Sequence, residues 1–307
     1  PAMMIAFVIA AVVCALAALA YAELASMIPV SGSAYTYTYG VLGEGLAWIV
    51  GWALVLEYAV AAGAVSVGWS GYMNGLLVSA GIPLPEFLRT GPYDGGSFNL
   101  LAFLIALAVT VLLVIGTSKS AKVNSVLVAI KVVALTAFIV IAIPAVKDPN
   151  FQPFMPTGWG SPMGGIGVLG AAASIFFAYV GFDAVSTAAE ETRNPNRNIP
   201  IGLIGSLAVC TVFYLLVGYA AVGSVGSQPM MGPDGLALLP GSAELAAACK
   251  GSEALVCSKE PLAHVLRLLG FEGWGNAIGI AAALALPSVI LMMLFGQTRI
   301  FFTMSRD

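Results

Sequence analysis

Phe176-Phe177-Ala178-Tyr179-Val180-Gly181-Phe182-Asp183 lies inside an apolar stretch that runs from about 165 to 188. A stretch of that length can cross a bilayer, whose hydrocarbon core takes about 20 helical residues. Its middle nevertheless holds two poor helix-interior residues, Gly181 and Asp183, crowded by four aromatics. A break near 178–182 would release carbonyls from intrahelical bonding, and such carbonyls are tolerated in a membrane only where they line a protein cavity. Freed carbonyls can hold an ammonium group or a cation. The pattern alone leaves a second reading open, a straight helix with an internally bonded Asp183.

Outward from this stretch the chain repeats its length and apolarity, near 1–22, 46–77, 99–116, 122–145, 200–224 and 274–301, which makes seven spans. The runs lack two-residue alternation, so the reading is an all-α membrane protein with one transmembrane domain over 1–307, not a barrel. Stretch 46–77 exceeds what a bilayer needs and is expected to tilt or project beyond it. Only 9% of the 307 residues are charged and 60% are hydrophobic, against about 25% charged in soluble domains. A soluble globular protein is thereby excluded, and lipid is the expected partner of most of the surface. Twelve basic residues without a block or stripe give no footprint for nucleic acid. A single His argues against zinc or haem. The first apolar run has no basic segment before it, so it reads as a true span rather than a signal peptide. Pro1 and the abrupt Met304-Ser305-Arg306-Asp307 end suggest a piece of a longer protein.

Seven spans place the two ends on opposite faces. Connections 117–121, 189–199 and the C-terminal end carry Lys119, Arg193, Arg197, Arg299 and Arg306, with Lys122 at the border of the first, whereas the short connections 81–98 and 146–162 carry only Arg89 and Lys147. The positive-inside rule therefore puts the first set, together with 23–45, in the cytoplasm, with Pro1 outside and Asp307 inside. Cys249 and Cys257 fall in the long outer segment 225–273, where a disulfide between them is expected and two unpaired thiols are the alternative. His264, in the same segment, reads as a surface histidine.

Gly165-Ile166-Gly167-Val168-Leu169-Gly170 matches the dinucleotide fingerprint in form, but no strand precedes it and Glu190 follows a span rather than a strand. Gly167, Gly170, Ala171 and Ser174 are instead expected to form a close helix-packing surface. Three ionisable residues lie well inside spans: Glu57, Lys131 and Asp183. Each costs about 2.5–3.5 kcal/mol at the bilayer centre on insertion scales, so each should face a cavity or a partner. One such arrangement is an internal Glu57–Lys131 ion pair. Lys131 lies about 14 Å into its span. A lysine there that alternates between dry and wet surroundings can give up and regain a proton, and so report a proton gradient as a change of charge.

The segment Tyr21-Ala22-Glu23-Leu24-Ala25-Ser26-Met27-Ile28-Pro29-Val30-Ser31-Gly32-Ser33-Ala34-Tyr35 closely resembles the end of the second helix in the amino acid, polyamine and organocation transporters. Phe177 to Asp183, followed by Ala189-Glu190-Glu191-Thr192-Arg193-Asn194-Pro195, resembles their sixth helix and the turn after it. Asn124 to Lys131 resembles the start of the fifth helix, and Gln297-Thr298-Arg299 to Arg306-Asp307 the end of the eighth. The resemblance covers essentially the whole chain and is nearest to the cationic amino acid transporters and their bacterial relatives.

That resemblance implies a fold of two inverted five-helix repeats with discontinuous first and sixth helices, of which this chain would hold helices two to eight. A chain so cut is expected not to transport by itself. The resemblance assigns the carbonyls of Phe177, Ala178 and Val180 to the substrate α-ammonium and Phe182 to the flank or gate of the pocket. Glu57 falls near the substrate side chain, and Lys131 is placed as the proton-coupling residue. Gly181 and Asp183 support the unwound segment, while Glu23, Glu190 and Glu191 serve interfacial structure and gating. It implies alternating-access uptake of amino acids with protons as the coupling ion and no cofactor. An exchanger of cationic amino acids or polyamines, and an amino acid sensor or scaffold without flux, are the competing readings. No paired nucleophile and base suggest an enzyme. Side-chain preference, oligomeric state and accessory subunits are not readable.

Overall fold

A computed structural model describes residues 1–28, 32–92, 96–115, 120–161, 166–187, 192–239 and 242–306. Lys119, Glu190 and Glu191 lie outside the described residues, as does Gly165. The described residues form helices and irregular connections, with two isolated bridges and no strand.

Helix α1 (Met3–Met27) buries Ala6, Ala10, Cys14, Ala18, Ala22 and Ala25. Spacings of four and three put these on one face, and because all are small, neighbouring backbones can approach closely. This is the means by which helices associate where lipid removes the hydrophobic drive between them. Against that face lie α7 (Gly167–Ile175) and α9 (Pro195–Val225). Val12, Leu16 and Leu19, on other faces of α1, are exposed, as lipid-facing residues should be. Met3–Met27 and Pro195–Val225 are both long and apolar enough to cross a membrane.

After the short α2 (Ala34–Leu42) comes α3 (Glu44–Ser79), whose 36 residues give it a length of about 54 Å. It is the centre of a second group of helices with α5 (Leu100–Ile115), α12 (Glu272–Ala285) and α13 (Pro287–Arg306). Gly296 permits the α3–α13 contact: a Cβ there would stand 2.9 Å from the Tyr58 ring. Helix α6 (Ser120–Ala142) runs beside α9 and α12. Six helical segments reach spanning length and apolarity, namely Met3–Met27, Glu44–Ser79, Ser125–Ala145, Gly167–Ser186, Pro195–Val225 and Glu272–Arg306. Leu100–Ile115 is apolar but has only 16 residues.

Segment 225–273 is more than a connection. It contains α10 (Ala243–Ala248) and α11 (Pro261–Leu268), and Cys249 is disulfide-bonded to Cys257. Ala263, Val265 and Leu266 are buried, the last two in a cluster with Phe138 of α6 and Ala220 of α9. His264 is half-buried, and its Nε2 lies 2.7 Å from the Glu253 carbonyl. The glycine-rich stretch follows expectation only in part. Gly167 starts α7 with φ +75° and abuts the Trp159–Gly160 backbone, while Val168 and Ala172 carry the contact with Ala2 and Ala6. Ser174 is exposed and donates to the Gly170 carbonyl, whereas Gly170 is buried and Ala171 packs against the same cluster, so two of the four expected residues lie at the contact beside Val168 and Ala172.

Candidate functional site

Helix α7 stops at Ile175, and a 3₁₀ turn, Phe176–Tyr179, follows. Val180 turns to an extended ψ of 133°, and Gly181 has φ +109°, a left-handed value that glycine alone adopts at little cost. The chain then resumes as the short helix α8 (Ala184–Thr187). A Cβ on Gly181 would lie 2.6 Å from Met293 Cε, the mobile end of a flexible side chain, so it is the backbone conformation rather than space that requires glycine. The helix is thus broken where the sequence placed Gly181 and Asp183 in an apolar run, and the straight-helix reading is set aside.

The break redistributes the carbonyls. Phe177 O accepts the Val180 N–H at 3.3 Å, and Ala178 O accepts the Tyr214 hydroxyl at 2.7 Å. Val180 O has no hydrogen-bond partner among the described residues. Each of the first two keeps one lone pair, and the third keeps both. Phe177 and Ala178 are exposed, Val180 and Phe182 half-buried. Phe182 meets Tyr21 edge-on at 5.7 Å, and Tyr21 meets Tyr37 at 6.0 Å. These three rings close one side of the break. Tyr179 and Tyr214, 5.1 Å apart and edge-on, close another.

Asp183 is 4% exposed. Its Oδ2 accepts the Tyr58 hydroxyl at 2.5 Å and the Ser33 hydroxyl at 3.4 Å, while Ser186 Oγ donates to its main-chain carbonyl at 2.6 Å. Asp183 therefore ties the broken helix to α3 and to the turn before α2. Glu57, next to Tyr58 on α3, is half-buried. Tyr58→Phe is expected to lower stability by about 1–3 kcal/mol, because it leaves a buried carboxylate oxygen short of a donor. A thermal melt of the purified protein checks this, and an unchanged melt would mean that Ser33 alone suffices.

Lys131 does not pair with Glu57: its ammonium donates to Ser288 Oγ at 2.7 Å. Ser288 is buried at the start of α13 and itself donates to the Ala285 carbonyl at 2.8 Å. Lys131 thus links α6 to the junction of α12 and α13. The break thereby gathers Phe177, Ala178, Val180, Phe182 and Asp183, with Glu57 next in the chain to Tyr58, which holds Asp183, while Lys131 contacts a different junction. Tyr58, Ser33, Tyr214 and Ser288 were not singled out from sequence. They are ordinary residues of helices and turns, and their roles come from partners more than 30 positions away.

A broken helix inside a bundle of long apolar helices defines an all-α protein of the membrane-spanning class. The chain belongs to the amino acid permease family, whose model matches residues 1–307. It is 44% identical to the branched-chain amino acid permease BcaP of Bacillus subtilis (strain 168), over all of this chain and 60% of that protein. It is 39% identical to the methylthioribose transporter of the same organism, again over all of this chain and 60% of the relative. It is 34% identical to the vacuolar cationic amino acid transporter 4 of Arabidopsis thaliana, over the whole chain and 47% of that protein. The chain thus spans about half to three fifths of the length of these relatives.

Proposed function

We propose that the intact protein carries amino acids across the cell membrane by alternating access and couples their entry to protons. The observation that carries this reading is the Val180 carbonyl, unpartnered among the described residues, at a helix break held by the buried Asp183 carboxylate, with Glu57 adjoining Tyr58, the partner of Asp183. That environment suits an ammonium group, and membership of the amino acid permease family points to the α-ammonium of an amino acid. In this reading the second lone pairs of Phe177 O and Ala178 O complete the ammonium site, with Phe182 and Tyr21 as its gate. Glu57 lies toward the substrate side chain. Asp183, held by Tyr58 and Ser33, keeps Gly181 and the unwound turn in place. Lys131 exchanges the coupling proton, and the Ser288 contact changes with its charge. The Cys249–Cys257 segment faces outward and the end of α13 faces the cytoplasm, as the distribution of Lys and Arg suggests.

Uptake of radiolabelled leucine, alanine and arginine by the full-length protein in proteoliposomes tests this. The three probes are chosen because relatives include branched-chain and cationic permeases. Saturable uptake of at least one into empty vesicles is expected. Uptake only when the vesicles already hold amino acid would make the protein an exchanger. Binding without uptake would make it a sensor.

A further inference from the structure

At the α3 end nearest the Cys249–Cys257 segment lies a cavity whose mostly apolar wall, which includes Val67 and Gly71, carries a few polar groups, about 25 Å along the helix from Glu57. Its volume is about 240 Å³, and Ser70, Asn74, Arg89, Gly91, Asn99 and Lys259 line it. A neighbouring cavity of about 290 Å³ shares Asn74, Arg89 and Lys259 and extends to Glu260. These dimensions fall below those of drug-sized sites and suit a smaller ligand.

The chemistry of the walls is specific. Asn74 Oδ1 is buried without a hydrogen-bond partner. Arg89, half-buried at the end of α4 (Glu86–Arg89), has no ion pair or hydrogen bond among the described residues. Glu260 does not neutralise it, because Glu260 is engaged by Arg267. Asn99 is held in place: its Nδ2 donates to Ser70 Oγ at 2.8 Å and its Oδ1 accepts the Ala102 N–H at 3.1 Å. The cavity thus offers a guanidinium that has no ion pair among the described residues, suited to a carboxylate, beside an acceptor that lacks a donor.

We propose that this cavity binds a small zwitterion, an α-amino acid, with its carboxylate on Arg89 and its ammonium on the Asn74 side-chain carbonyl. It is a site distinct from the broken helix, and its occupancy does not require that the protein transport anything.

Gly91, on the cavity wall, is a suitable reporter position, since a Cβ there meets nothing within 4 Å. The full-length protein carrying Gly91→Cys and Cys210→Ser is placed in nanodiscs, which leave both faces accessible, and reacted with a polar maleimide. Millimolar L-leucine, L-arginine, acetate or chloride is added at matched ionic strength. Occupancy should slow labelling by the factor 1 + [L]/Kd, about threefold when the ligand stands at twice its Kd. At least one amino acid is expected to do this, Arg89→Gln is expected to remove the effect, and Ala178→Trp, which fills the broken-helix site, is expected to leave it. The proposal is overturned if neither amino acid slows labelling, if the slowing survives Arg89→Gln, or if it disappears in an Ala178→Trp protein that melts normally. Equal slowing by chloride would reduce the cavity to an adventitious anion site. Acetate as effective as the amino acids would remove the role of Asn74.

Discussion

Replacing Ala178 by Trp is expected to weaken amino acid binding by at least about tenfold, equivalent to about 1.4 kcal/mol. Ala178 sits on the 3₁₀ turn of the break, its side chain exposed and its carbonyl held by Tyr214. An indole at this position meets open space rather than a packed core, so the fold should survive. The new ring would occupy the space in front of the Val180 carbonyl, where the substrate ammonium is proposed to lie. Equilibrium binding of radiolabelled leucine and arginine to the full-length variant, with a thermal melt as control, is the measurement. Normal affinity in a normally folded variant would exclude the helix break as the substrate site.

The second large effect concerns Lys131. Lys131→Ala is expected to abolish stimulation of uptake by a pH gradient while leaving substrate binding. One pH unit across the membrane is worth about 1.4 kcal/mol per proton, or about tenfold accumulation for one proton per substrate. All of that enhancement should vanish. The variant leaves no buried charge without a partner, since Ser288 Oγ still donates to the Ala285 carbonyl. Lys131→Arg separates coupling from structure. Arginine keeps the positive charge but does not release its proton in proteins, so a coupling role predicts that it fails as alanine does. Full gradient stimulation in Lys131→Arg would make Lys131 a structural charge.

The helical spans and the break were legible because their signals are local. Apolar runs of bilayer length read directly as helices, and Gly181 with Asp183 in mid-span marked where a helix would not continue. What was not legible depends on pairings across the fold. Nothing near Asp183 in sequence points to Tyr58, 125 positions away, and nothing near Lys131 points to Ser288, 157 positions away. The Glu57–Lys131 pair was a reasonable reading of two costly charges, but their helices turn them to different neighbours. The small-residue stretch 167–174 was only partly read: Gly170 is buried and Ala171 packs against the Ala2–Ala6 cluster as expected, whereas Gly167 and Ser174 do not make that contact. Glycine spacing suggests close helix packing, yet Gly167 is needed for its positive φ at the helix start and Val168 and Ala172 are the buried α7 residues of the contact. Segment 225–273 read as a connection because α11, at 8 residues, is far too short to span a bilayer, although its apolar residues cover part of the α6–α9 surface.

Proton-coupled entry of an amino acid through the broken-helix site is tested most directly by watching the proton itself. The full-length protein is reconstituted in vesicles holding a pH-sensitive dye, and leucine or arginine is added outside with no initial pH gradient. The account predicts that the amino acid which is taken up also acidifies the vesicle interior, and that Lys131→Ala abolishes the acidification. Substrate uptake at full rate with no acidification would contradict proton coupling.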